Sequence, residues 1–486
     1  VAVGRNSLDA NTEGHSNTAV GESSLTGNTT GDRNVAIGQN AMAVNSTGSQ
    51  NVAIGRNALD ANTTADDNVA VGDGAATSNT TGTNNTAVGS LALQDNQTGL
   101  ANTAIGHSAL QSSTGTANTV VGADAAKNTT SGTLNTVVGK DAFFTNTTGA
   151  RNVAIGFAAM ELSNGSYNTA MGYNALGDND DDGNVAIGYQ AMDTATGADS
   201  CVAIGTEALR STTGDDNIAI GRYAMNTAGT GGQNTVVGYQ AGKVITSGSS
   251  NVIMGQRAGL DLTTGSTNTF VGPRAGQNIT TASNNTAVGV DALEDATTAA
   301  DNTCIGTNAG ANLTSGSNNL LLGKEAGKSG SPGGQFTSHS NRVVLGNGNI
   351  QELNCEVALS VASDERDKTD FTDLDIGLDF VKQMKPYTYK WDKRHKYVDW
   401  TANPDTDLNT ITHDGTHKED WLDVGFKAQD IEILEKAAGY DKDNKTNLAI
   451  ELSEDGKAYS MKYEKLIPIL VKAIQELEAK VAALES

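Results

Sequence analysis

A glycine returns along this chain at residues 4, 21, 38, 55, 72, 89, 106, 122, 139, 156, 172, 188, 205, 221, 238, 255, 272, 289, 306 and 323, and every interval is 16 or 17 residues. The residues before it repeat too. Asn34-Val-Ala-Ile-Gly38 recurs as Asn51-Val-Ala-Ile-Gly55, Asn152-Val-Ala-Ile-Gly156 and Asn184-Val-Ala-Ile-Gly188, with variants such as Asn17-Thr-Ala-Val-Gly21 and Asn268-Thr-Phe-Val-Gly272. A unit this short cannot bury a core of its own, so it has to stack on its neighbours. The repeat therefore predicts an all-β part, a parallel β-roll or β-solenoid of ~17-residue coils.

Each position has a chemical reason. The residue before Gly and the residue three before it are aliphatic or Thr, and alternation puts them on one face of a short strand. The residue between them is mostly Ala, a small face able to approach another surface closely. The Gly suits a corner with positive φ. Ala follows three residues later, then usually Leu, Met or Gly (Ala58-Leu59, Ala224-Met225, Ala275-Gly276), and a Thr-Gly turn such as Thr148-Gly149 usually closes the unit. The position four before the Gly is Asn in every unit from Asn17 to Asn319 except for Cys201. One such residue per coil gives a column at the ~4.8 Å strand spacing, and a side-chain amide can bond above and below, so the column is expected to be structural. Cys201 and Cys304 occupy repeat positions and are expected to be small packing residues.

Composition narrows the function classes. Residues 363–486 hold 45 charged residues in 124, whereas residues 1–362 hold 43 in 362, and all three Trp lie in the C-terminal part. That part has the make-up of an ordinary mixed domain. Net charge is −24, which argues against nucleic acid or an anionic membrane as partner. No apolar run approaches the ~20 residues of a membrane span. The three cysteines make no disulfide scaffold and no zinc spacing. There is no P-loop and no G-x-G-x-x-G, so no cofactor is expected. Val1 already lies inside a motif, which leads us to expect a segment upstream.

The Asn-x-Ala-Ile-Gly pattern resembles the head repeats of trimeric autotransporter adhesins of the YadA type, and also the repeated shafts of phage tail fibres. The resemblance covers residues 1–327 and implies a left-handed parallel β-roll assembled as a trimer. At 19 intervals of ~4.8 Å the shaft is expected to be roughly 90 Å long.

Beyond the last regular coil, a Gly/Ser-rich stretch leads to Asn341-Arg-Val-Val-Leu-Gly346, a final strand-like motif, and then to Ser363-Asp-Glu-Arg-Asp-Lys368. Leu374, Leu378, Val381 and Met384 mark an amphipathic helix stopped by Pro386. Tyr387, Tyr389 and Trp391 alternate as in a strand. Gly425-Phe-Lys-Ala-Gln-Asp430 opens a second helix that ends at Gly439. In this order the pieces Ser-Asp-x-Arg-x-Lys, Gly377 to Trp391, Gly-Phe-x-Ala-Gln and Tyr463-x-x-Leu-Ile-Pro resemble the peptidase S74 domain, the intramolecular chaperone that ends endosialidase-type tailspikes and many tail fibres. The resemblance implies a self-cleaving serine endopeptidase that turns over once. Carried over, the bond is Ala362–Ser363, Ser363 is the nucleophile, Lys368 the base, and Asp364 and Arg366 support the site. The chemistry is sound, because a serine hydroxyl needs a nearby base and a partly buried Lys can act as one.

Ile467, Leu470, Ile474, Leu477, Val481 and Leu484 are spaced 3, 4, 3, 4, 3, a heptad seam for a short trimeric coiled coil, with Glu476 and Lys480 as an i,i+4 pair. The domains expected are a β-roll shaft at 1–327, a neck at 328–362, a small α+β chaperone at 363–460 and a coiled-coil helix at 461–486. Asp178, Asp180 and Asp182 before Gly183 match the first half of a calcium loop, but position twelve is Tyr189 rather than Glu, so a solvated acidic turn is the stronger expectation. His413 and His417 flank Gly415 in a polar loop, where a metal is not expected. The whole points to a homotrimeric virion tail fibre that binds a host-cell surface receptor, glycan or protein. The alternative is a trimeric adhesin on a bacterial cell surface.

Overall fold

The computed structural model describes residues 1–227, 229–332, 334–350, 352–354, 363–398, 406–441, 446–452 and 459–485. They form two compact units, Val1–Asn302 and Thr303–Ser486.

The first unit is a parallel β-solenoid. Among the described residues it has eighteen strands, from β1 (Ala2–Val3) to β18 (Thr286–Val288). Each of β2 to β18 is three residues long, and it is the three residues before the repeat glycine. Like pairs with like in register: Val185, Ala186 and Ile187 of β12 (Val185–Ile187) face Val202, Ala203 and Ile204 of β13 (Val202–Ile204). Gly38 has φ 136°, and a Cβ there would lie 2.5 Å from the carbonyl oxygen of Gly55 in the next coil. Only glycine permits both that backbone and that approach.

The strand faces correct the expectation for the alanine column. Ala36, Ala53, Ala186 and Ala203 are fully buried inside the coil, while Ile37 and Ile54 keep more than a third of their surface. The small face approaches its own coil and the aliphatic face points outward. The inside is completed by the Ala and the Leu or Met three and four residues past the glycine, such as Ala41 and Met42. A coil of 16 or 17 residues encloses little volume, so its contents trade off. Where the strand's middle residue grows, the corner residue shrinks to Gly: Val236 goes with Gly242, Ile253 with Gly259 and Phe270 with Gly276. A Cβ on Gly276 would lie 2.9 Å from the Phe270 ring. Val137 with Phe143 is an exception, both being fully buried.

Ala186→Leu is therefore expected to overpack the coil that already holds Met192, at a cost of about 1–3 kcal/mol or more. Adding Met192→Gly, the pairing seen at Leu321 and Gly327, should recover most of it. Denaturation midpoints of the single and double variants check this.

The asparagine column is a ladder from side chain to backbone. Asn17 Oδ1 accepts from Asn34 N at 2.8 Å, and Asn34 Nδ2 donates to Gly48 O at 2.8 Å. At the exception, Cys201 N still donates to Asn184 Oδ1, and Cys201 Sγ accepts from Asn217 N at 3.4 Å. Burial pushes the Cys201 thiol up to about 11, so it stays protonated. A second ladder escaped the sequence reading. Asn28, Asn45, Asn62, Asn79 and Asn96 are buried, and each Nδ2 donates to the Oδ1 one coil earlier at 2.7–3.1 Å.

The second unit begins with three more such strands, β19 (Thr303–Ile305), β20 (Leu320–Leu322) and β21 (Val343–Leu345), parallel and in register. Burial takes the Cys304 thiol in β19 up to about 12. The α+β part follows: α1 (Leu378–Val381), β22 (Tyr387–Tyr389), β23 (Asp423–Gly425), α2 (Ala428–Ala437), β24 (Ile450–Leu452), β25 (Tyr459–Met461) and α3 (Leu466–Glu485). β22 and β23 pair antiparallel, as do β24 and β25. The core is Ile376, Phe380, Ala449, Leu466 and Ile469.

Three elements differ from the sequence reading. The first helix runs only from Leu378 to Val381: Gly377 (φ −155°, ψ −122°) breaks the helical path before it, and both Leu374 and Met384 lie outside it. Trp391 lies past the end of β22. Gly425 belongs to β23 rather than opening α2.

Candidate functional site

Ser363 opens the described stretch 363–398, and Ala362, the other half of the expected scissile bond, lies outside the described residues. A single 3-10 turn, Glu365–Asp367, separates Ser363 from Lys368. Asp364 caps that turn by accepting from Arg366 N at 2.9 Å, and its carboxylate also takes the Arg366 guanidinium, at 3.0 Å from Nε and 2.5 Å from Nη2. The Arg366 hydrogen bonds hold the Asp364 carboxyl below the usual carboxylate range. The turn folds the chain back so that Lys368 Nζ donates to Ser363 Oγ at 2.6 Å. Ser363 and Lys368 are both exposed in the single chain. The four residues are thus together: a hydroxyl with an amine in contact, and beside them a carboxylate–guanidinium pair that fixes the turn.

The α3 helix has two faces. Leu466, Ile469 and Ala473 are buried, the first two in the unit's own core. Ile467, Leu470, Ile474, Leu477, Val481 and Leu484 form the other face and are exposed, Ile474 by 66% and Leu484 by 87%. Glu476 faces Lys472 and α1 rather than the expected partner Lys480. Its Oε2 accepts from Leu378 N at 2.8 Å, which caps α1 from 98 residues away, and Lys472 lies 3.9 Å from its Oε1. The carboxylate occupies the place of a side chain at Gly377, where a Cβ would be 2.6 Å from Oε2. Gly377→Ala is expected to push α1 off α3 and cost about 1–3 kcal/mol, the range for overpacking a close contact. Hydrogen exchange of the Leu378 amide reports it directly.

The other candidates are not assembled into sites. Asp180 Oδ1 accepts from Asn164 N at 2.8 Å and Asp182 Oδ1 from Ser166 N at 2.6 Å, so these carboxylates serve the preceding coil. Among the described residues no group of three or more His, Cys, Asp or Glu could hold a metal ion, and Asp178, Asp180 and Asp182 are not brought together as one. His413 and His417 pack on Tyr397. No helix among the described residues is long and apolar enough to cross a membrane.

No curated protein and no solved structure gave a match to the chain. Residues 363–439 match the family model Peptidase_S74, described as chaperone of endosialidase, and that match begins at Ser363 itself. The chain thus carries a Peptidase_S74 domain, a chaperone of endosialidase, at residues 363–439, behind a parallel β-solenoid.

Proposed function

We propose that three copies of this chain form the shaft of a phage tail fibre that attaches to a host cell, and that the C-terminal domain guides their assembly and then cuts itself off before Ser363. The observation that carries the reading is Lys368 Nζ, 2.6 Å from Ser363 Oγ at the first residue of the matched domain. In the reaction Ser363 Oγ adds to the carbonyl carbon of Ala362 while Lys368 takes the hydroxyl proton. The bond from that carbon to Ser363 N breaks, and the nitrogen leaves with the proton that Lys368 returns. Water then opens the ester and frees the carboxylate of Ala362.

Two exposed apolar rows support the trimer. One is the α3 face from Ile467 to Leu484, and the other is the outward aliphatic column of the strands, with Ile37, Ile54, Ile105, Val138 and Ile204 in successive parts of the first unit. A lysine becomes a base when it is taken out of water. Lys368 is exposed in one chain, so a neighbouring chain laid over the turn would switch the site on, which ties cutting to assembly. Intact and native mass of the expressed protein tests the reading. The expected result is fragments 1–362 and 363–486 and a threefold assembly. A fully formed trimer of uncut wild-type chains overturns it.

A further inference from the structure

All nine aromatic residues of Val1–Asn302 lie between Phe143 and Phe270. Four of them occupy one column, the position just past the repeat glycine, and three of these lie on consecutive coils, Tyr239 standing apart. Phe157, Tyr173 and Tyr189 stack with centroids 5.4 Å apart and planes within 8° and 12°. Lys140, one coil earlier, sits over the Phe157 ring at 5.4 Å. The ladder then stops. The next residue in the column is Thr206, whose coil is bonded on by Glu207 N to Tyr189 O at 2.9 Å, and the one after is Arg222, which turns aside onto Tyr223. One face of Tyr189 is therefore covered by Tyr173, while the other looks across a missing rung with a short side chain as its floor. Tyr189 is 50% exposed, more than either ring stacked before it.

Beside the gap is a polar cluster. Gln190 Nε2 donates to Asp193 Oδ2 at 3.1 Å, and Arg210 reaches both Glu207 at 3.2 Å and Asp193 at 3.7 Å. Donors and acceptors are mixed there, with a slight excess of negative charge.

The geometry points to a saccharide-binding notch at Tyr189 and Thr206, made for an uncharged pyranose chain. A pyranose ring has an apolar C–H face to lay on Tyr189 and a rim of hydroxyls for Gln190, Asp193, Glu207 and Arg210. It is about as thick as the rung it replaces, since coils repeat at ~4.8 Å. Stacked nucleobases would need a cationic groove, and this chain carries −24 overall with two carboxylates at the notch. Acidic polysaccharides are disfavoured for the same reason. The proposal names the ligand class for the attachment reading and rests on it, yet the two can fail separately: fragment and native masses judge the fibre, and saccharide binding judges the notch.

The test titrates the full-length chain with cellohexaose, maltohexaose, laminarihexaose, chitohexaose and yeast mannan, with hyaluronan as the acidic comparison, read by saturation-transfer NMR. At least one neutral saccharide is expected to bind and hyaluronan is not. Tyr189→Ala should weaken binding about tenfold, the scale of one lost stacking contact. Thr206→Tyr restores the rung, so the chain should melt no lower than wild type while binding is lost. The notch is overturned if the wild type binds none of the neutral saccharides, if hyaluronan binds as well as they do, or if Thr206→Tyr binds like the wild type.

Discussion

Ser363→Ala is expected to leave one uncut chain of 49.9 kDa where the proposed cut would give two fragments from the wild type. The substitution removes one oxygen from an exposed residue whose side chain bonds to Lys368, so the fold and the proposed assembly should survive it. Lys368→Ala should give the same uncut band, because the hydroxyl then has no base in contact. Lys368→Arg is the sharper variant: it keeps charge and reach, but a guanidinium does not give up its proton. Loss of the base is expected to slow cutting by about 10²–10⁴-fold, the usual worth of a positioned general base. Loss of the nucleophile should leave none at this bond. Denaturing gels and intact mass over time separate the three variants, and cutting by Ser363→Ala chains at the same bond would exclude the mechanism.

The second large effect is expected from Ile474→Asp combined with Leu477→Asp. Both residues are exposed in the single chain, and neither belongs to the core built by Leu466 and Ile469. An exposed substitution moves the stability of one chain by about 0.5 kcal/mol or less. In an assembled seam each buried apolar side chain is worth about 1.5–3 kcal/mol, and the double variant strikes three helices at once. Native mass should therefore show single chains with an intact helical signal, and these should also remain uncut, since nothing covers Lys368. Ile469→Asp is the contrast, because it should unfold the domain itself. Trimers of the double variant would remove α3 from the assembly interface.

Much of the fold was legible because the repeat states it many times. The strand, the glycine corner and the Asn17–Asn319 column were all visible as invariant spacing. What alternation cannot tell is which face is inside when both are apolar. Ala36 and Ile37 differ in size rather than polarity, and in a coil that already holds Met42 the smaller one goes inside. The second asparagine ladder was missed because its column turns to Ser113 and Thr129 after Asn96 and to Ile245 and Leu262 later, so no single residue type marks it. At the site, the motif supplied Ser363, Asp364, Arg366 and Lys368, but the 3-10 turn that joins them was not legible from the motif. Glu476 was read from its helix neighbours alone. Its partner, Leu378 N, is distant in sequence, and one sequence carries no signal for such a contact.

The in-register stacking has a consequence for length. Coil after coil, Cys201 excepted, offers its successor the same asparagine oxygen and bonds to that of its predecessor. Removing or duplicating one whole unit therefore joins two surfaces that already match. Four of the units share Asn-Val-Ala-Ile-Gly, so such a change keeps the contact-making residues in place. The length of the solenoid can thus change by one coil at a time, with no new interface to evolve and residues 363–439 left untouched.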